Sequence, residues 1–236
     1  MFGEFTKSNL DVCLKELAKE FRRLSKKSMP AEIILIGGAS VLANYGFRQS
    51  TYDMDAIVNA SSLMKEAINN VGDKMGLPNG WLNTDFKQTK SYSDKLIEVS
   101  QFYKTFSNVL TVRTISAEYL VAMKLMSGRQ YKSDLSDIVG ILLEHKKQDN
   151  PLSLNAIKSA VIKLYTDWAR LPTTSNQFIN DLFVGENLEQ AYAKVKETEA
   201  SAKSIALNFI KNNPNQTAQA SLNEIIEKAK KLRDKN

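Results

Sequence analysis

The sequence predicts a mixed α+β fold: a small mixed sheet flanked by helices over residues 1–150, followed by a helical region over 151–236. Three observations carry this. Short apolar runs rich in β-branched residues alternate with amphipathic runs up to residue 147. After Asn150-Pro151 only helical periodicity remains. The composition, with 236 residues, 43% hydrophobic and 25% charged, is that of a globular chain. It excludes a collagen-like or disordered one.

The elements follow in order. Residues 9–27 form a helix, because Leu10, Cys13, Leu14, Leu17, Phe21 and Leu24 recur at three- and four-residue steps before Pro30 stops the run. Residues 32–36 are a buried strand, Gly37-Gly38 a tight turn, and ASVLANYG a short helix closing on Gly46. Residues 52–59 are a second strand and 61–75 a second amphipathic helix. Residues 76–94 hold most of the loop signals, and 95–103 and 108–115 are two further strands. Helices return at 116–127 and 134–147, then at 153–169, 175–184, 186–212 and 218–235.

Several classes of function are excluded or made less probable. No run approaches the ~18 apolar residues of a membrane span. The N-terminal stretch carries charges throughout and no signal-type apolar segment, so a cytoplasmic protein without membrane contact is expected. A single cysteine, Cys13, allows no internal disulfide and no cysteine-based zinc site. The formal charge of +6 is spread over both parts of the chain, which permits a polyanionic partner without demanding one.

Chemistry concentrates between Gly37 and Asp55. Asp53 and Asp55 are two apart, so on a strand they share a face with Cα atoms about 7 Å apart. Like charges so placed repel unless a cation lies between them, and Mg²⁺ takes one or two carboxylates together with phosphate oxygens. Gly37 and Gly38 open a helix, where bare backbone and unpaired N–H groups admit a phosphate, and Ser40 adds a hydroxyl to the first turn. A phosphate cradle followed by a carboxylate pair is what metal-assisted chemistry on a nucleoside triphosphate requires. His145, Cys13, Trp81 and Trp168 read as capping or packing residues.

These residues, Gly37-Gly38-Ala39-Ser40 with Arg48, Thr51, Asp53 and Asp55, resemble the signature of the polymerase-β-like nucleotidyltransferase superfamily. The GFRQSTYDMD form is similar to the branch holding AbiEii- and MenT-type toxins. Gly80-Trp81-Leu82-Asn83 and EYLVAMKLMSGRQYKSDLSDI are similar to later elements of those relatives, so the resemblance spans roughly 31–145. It implies a nucleotidyltransferase fold over 1–150 and a Mg²⁺-dependent enzyme, with two ions when the NTP is bound. Nucleoside monophosphate would pass to a hydroxyl of RNA, such as tRNA, or of a protein. A toxin or phage-defence role with a cognate antitoxin as partner is implied too. Asp53 and Asp55 would hold metal; Gly37, Gly38, Ser40, Arg48 and Thr51 would bind nucleotide; Lys124 and Asp134 would join the catalytic set. Many members carry a third carboxylate on a later strand. Here Glu98 in LIEVSQF is the nearest position, with Asp85 and Asp94 as loop alternatives. The other reading is a weak or inactive relative that binds a nucleotide or a partner protein.

Overall fold

The computed structural model describes residues 4–25, 29–129, 133–185 and 187–212. The helix expected over 218–235 lies outside the described residues. In chain order the elements are β1 (Phe5–Thr6), α1 (Lys7–Ser25), β2 (Ala31–Leu35), α2 (Gly37–Asn44), β3 (Ser50–Thr51), β4 (Met54–Asn59), α3 (Leu63–Met75) and β5 (Leu82–Asn83). There follow β6 (Ser100–Phe106), β7 (Leu110–Ile115), α4 (Ala117–Ser127), α5 (Asp134–Lys147), α6 (Leu154–Tyr165), α7 (Thr173–Val184) and α8 (Leu188–Asn212). The fold is α+β, with a five-stranded mixed sheet in the order β5-β4-β2-β7-β6.

The sheet is mixed, with two antiparallel and two parallel pairings. β2 and β4 are antiparallel, with Leu35 opposite Ala56, whereas β2 and β7 are parallel, with Ile34 opposite Arg113. β4 and β5 are parallel and β6 and β7 antiparallel. β2 is the central strand, so Ile33, Ile34 and Leu35 are all buried, which is why it reads as a continuous apolar run. The core packs the apolar stripe of α1 (Leu10, Leu14, Leu17, Phe21) with Ile33 and Leu35 of β2, Met54 and Ala56 of β4, and Met64, Ala67 and Val71 of α3. Cys13 is buried in that stripe, and burial pushes its thiol up to about 11, which keeps it inert.

Polar ties run along the edge of this core. Lys74 on α3 meets Glu16 on α1 at 2.9 Å, and Asn70 donates to Glu20 at 2.7 Å. Hydrogen bonds from Lys19 and Lys74 lower Glu16 from 4.5 to about 2, and those from Arg23 and Asn70 lower Glu20 from 4.5 to about 2. Both folded values lie below the unfolded ones. The stabilisation is therefore complete above about pH 4.5 and is lost as the pH falls toward 2. The urea midpoint should drop between pH 5 and pH 3, and it should drop less in a Glu16→Gln/Glu20→Gln double variant. An identical acid loss in that variant would show that these ties contribute nothing.

The chain divides into two compact units at places other than Asn150-Pro151. Among the described residues, one holds those up to 123 together with 155–168; the other holds those of 124–154 and 169–212. Helix α6 belongs with the sheet, where Tyr165 Oη donates to the carbonyl of Ser91 and Ser93 Oγ donates to that of Leu164. Helix α5 belongs with α8. Proline at 151 ends α5's run in sequence but does not decide which neighbour the next helix packs on. Among the described residues no helix is long and apolar enough to cross a membrane.

Candidate active site

The turn between β2 and α2 is built on bare backbone. Ile36, in extended conformation, stands at the N-cap position, and its N–H donates to the Asp55 carbonyl at 3.0 Å. Gly37 has φ +55°, a left-handed value that favours glycine. A Cβ at Gly37 would lie 3.6 Å from Asp55 Oδ2. A Cβ at Gly38 would lie 2.8 Å from both Arg48 Nη2 and Thr51 Oγ1. A carboxylate, a guanidinium and a hydroxyl thus converge on two residues that have no side chains, at the positive end of a helix. Arg48 is steered there by its Nε, which donates to the Ser50 carbonyl at 3.1 Å. Thr51 is held by the β1–β3 pairing and by its own Oγ1, which donates to the Asp53 carbonyl at 3.2 Å.

The carboxylate pair straddles the start of a strand. β4 begins at Met54, so Asp53 stands one residue ahead of it rather than inside, and Tyr52 lies outside it too. Burial alternates nonetheless: Asp53 is exposed, Met54 fully buried and Asp55 half-buried. Both acids therefore lie away from the core side of β4. The position beside Asp55 on β5 is Asn83. Its side chain is engaged within the loop, donating to the Gly80 carbonyl and accepting from the Asp85 N–H. Trp81 anchors that loop: it is buried against Gly72, and its Nε1 donates to the Ile68 carbonyl on α3 at 3.0 Å.

Two expectations are corrected. Ser40 is fully buried, and its Oγ accepts the Ile115 N–H at 3.0 Å, so it braces α2 on the end of β7 instead of facing a nucleotide. One turn into the helix is already inside the core. Glu98 is in a turn, not in a strand: a 3-10 turn occupies 94–96 and β6 begins only at Ser100. Glu98 is exposed and faces Lys163 at 3.7 Å, and the strand that follows it, β6, is separated from β4 by β7 and β2. Asp94 accepts from Tyr92 Oη, and Asp85 opens a 3-10 turn after β5. Among the described residues no three His, Cys, Asp or Glu side chains converge as a metal site.

Lys124 and Asp134 meet in the second unit as members of a buried charge cluster. Lys124 Nζ lies 2.8 Å from Asp134 Oδ1 and 2.8 Å from Asp137 Oδ2. Ser127 Oγ and Arg129 Nε donate to Asp134 Oδ2 at 2.8 and 2.9 Å. Lys124, Asp134 and Asp137 are 6, 0 and 2% exposed. Burial opposes the Asp134 charge, but the Lys124 ammonium and the Arg129 guanidinium outweigh it and hold this carboxyl well below the usual range. The sequence spacing marks Lys124 as a charge on an apolar helix, and its location in the cluster explains that charge. Asp137 and Arg129 lie in the EYLVAMKLMSGRQYKSDLSDI segment that resembles the relatives' later elements, but neither is among the expected site residues. Glu199 carried no signal at all: its Oε1 accepts the N–H groups of Leu135 and Ser136 at 3.1 and 3.0 Å. Burial raises its carboxyl above the ordinary value.

Residues 13–165, more than half of the chain, match the family described as "Nucleotidyltransferase of unknown function (DUF6036)". The chain belongs to this family. No curated protein and no solved structure matches it. For this nucleotidyltransferase the matched span runs from within α1 to the end of α6. It takes in the whole five-stranded sheet, the diglycine turn, Asp53 and Asp55, and also Lys124 and Asp134; α7 and α8 lie beyond it. Membership supports nucleotidyl transfer at the level of the family.

Proposed function

We propose that the chain moves a nucleoside monophosphate from an NTP to an acceptor hydroxyl of RNA, such as tRNA, or of a protein. The observation that carries this reading is the convergence of Asp55, Arg48 and Thr51 on Gly37-Gly38 at the start of α2. The Arg48 guanidinium and the first-turn N–H groups suit a polyphosphate; Asp53 and Asp55 suit the cation that accompanies one. Two hard-oxygen donors separated by one buried residue fit Mg²⁺, which fills its remaining positions with phosphate oxygens and water. Asp53 and Asp55 would hold it, and the ion supplies neutralisation of the charge on the triphosphate.

The chain's own residues do the rest. Gly38 leaves room for Arg48 and Thr51 to reach the phosphates. The acceptor oxygen forms a bond to the α-phosphorus, the bond to the bridging oxygen breaks, and pyrophosphate leaves. Asp53, the exposed acid of the pair, is the one open to take the acceptor's proton. Lys124 and Asp134 enter from the resemblance to toxin-type relatives, and with them a cognate antitoxin as partner and a toxin or defence role. The net charge of +6 favours RNA over protein as acceptor.

A transfer assay tests the reading: purified protein, Mg²⁺, each α-³²P-labelled NTP in turn, with total RNA and protein as acceptors and Asp53→Ala alongside. Label on one macromolecule, lost in the variant, is the expected result. Transfer at full rate by Asp53→Ala would sink the proposal. The placement of Glu98 beside Lys163 favours a second reading, a nucleotide-binding protein with little turnover. Mg²⁺–NTP binding without label on any acceptor would select it.

Gly38→Ala probes the cradle directly. Its Cβ would stand 2.8 Å from Arg48 Nη2 and Thr51 Oγ1, so both must withdraw. Calorimetry with a non-hydrolysable NTP should show binding weakened at least about tenfold, with a stability cost of about 1–3 kcal/mol. Unchanged affinity would remove Arg48 and Thr51 from the nucleotide site.

A further inference from the structure

Helix α5 starts where the residue just before it supplies no side-chain cap. Ser133 stands at the N-cap position and makes no side-chain bond to the first turn. The first N–H groups of a helix have no partner within it. Here they are met from α8: Glu199 Oε1 accepts from Leu135 N–H and Ser136 N–H at 3.1 and 3.0 Å. Those are the second and third helical residues, the amides that a local N-cap side chain takes.

A carboxylate that is 7% exposed is costly unless hydrogen-bonded, and these two bonds are what hold it there. Glu199 also adds a third acid to a helix end that already carries Asp134 and Asp137, beside Lys124 and Arg129. A cap from Ser133 would tie the end of α5 to its own loop. The cap from Glu199 ties it to α8, more than sixty residues away in sequence. The captured turn is the one whose Asp134 and Asp137 oxygens each lie 2.8 Å from Lys124 Nζ.

We infer that Glu199 is a positioning residue for the Lys124–Asp134 pair, and that nucleotidyl transfer therefore depends on α8, which lies beyond the family's matched span. The catalytic half of this inference rests on the proposed function; the cap does not. The test uses the full chain in three variants, with amide exchange at Leu135 and Ser136 followed by NMR and transfer measured as kcat and KM. E199Q keeps an oxygen that accepts both N–H groups, and should keep protection and kcat within about threefold of wild type. E199A should lose protection at both amides and lower kcat about tenfold or more, with KM for the NTP unchanged. E199D keeps the charge but is one methylene short. It should behave like E199A, and it carries the test if E199A does not fold.

Wild-type kcat in E199A or E199D overturns the positioning role. So does an E199Q that keeps protection at both amides yet loses kcat as E199A does, since the charge and not the cap would then matter. Full protection at Leu135 and Ser136 in E199A overturns the cap. A wild-type protein with no Asp53-dependent transfer fails the proposed function and the catalytic half with it, while amide exchange still decides the cap.

Discussion

Replacing Lys124 with methionine is expected to destabilise the protein by about 3–5 kcal/mol, the usual cost of removing one partner from a buried ion pair. Lys124 is 6% exposed and lies 2.8 Å from one oxygen each of Asp134 and Asp137, which are 0 and 2% exposed. Methionine fills a similar volume, so the loss measures charge and not packing. Arg129 and Ser127 still serve Asp134, which moderates its penalty. Asp137 loses the cation 2.8 Å away. Adding Asp137→Asn to Lys124→Met should accordingly recover part of the stability. Urea titration of the wild type and both variants checks this. A Lys124→Met protein as stable as the wild type would show that the cluster is hydrated in solution. The sign with pH also follows. Asp134 is held below its ordinary range, so the cluster's contribution is complete above about pH 4 and fades as the pH falls further.

Asp55→Asn is expected to act in the opposite way, lowering transfer by about 10³-fold or more while leaving stability intact. The substitution keeps the shape of a side chain whose oxygen approaches the Gly37 backbone, and the Asp55 carbonyl still accepts from Ile36 N–H. It removes one of two anionic oxygen donors. The melting temperature should shift by no more than a few degrees without ligand, since the shape and the backbone bond are kept. Single-turnover transfer and thermal melting on the same preparations decide it. More than a tenth of wild-type transfer would exclude Asp55 from the metal-holding pair. Lys124→Met thus reads one charge by its effect on stability, and Asp55→Asn reads another by its effect on transfer.

Much of the fold was legible because local patterning and burial agree. The α1 stripe is buried as its three- and four-residue spacing requires, and α5 has the bounds its periodicity gives. The strands read less well where pairing sets the boundary. Residues 95–99 look extended by composition, but Ser93 Oγ accepts from Lys95 N–H and starts a 3-10 turn, which moves Glu98 out of β6. Tyr52 and Asp53 look continuous with β4. Thr51, just before them, pairs with Phe5 on β1, and the break that follows places Tyr52 and Asp53 outside the strand.

The sequence by itself determined the α+β class and the strand–diglycine–helix unit, and it singled out Gly37, Gly38, Asp53 and Asp55 as candidates for chemistry, with Arg48 and Thr51 added by the resemblance. All lie within nineteen residues, and the expectation for the glycines and acids follows from short-range geometry: the period of a strand, the freedom of glycine, the open N–H groups of a helix start. Only the tertiary structure decided that Ser40 braces the core, that Glu98 faces Lys163, that Lys124 is held between two buried acids, and that Glu199 caps α5. Each of those depends on a partner that the chain brings close only by folding, at separations from 10 to 75 residues. Whether a polar side chain serves a ligand or the fold is set by what stands next to it in space, and a local pattern carries no record of that.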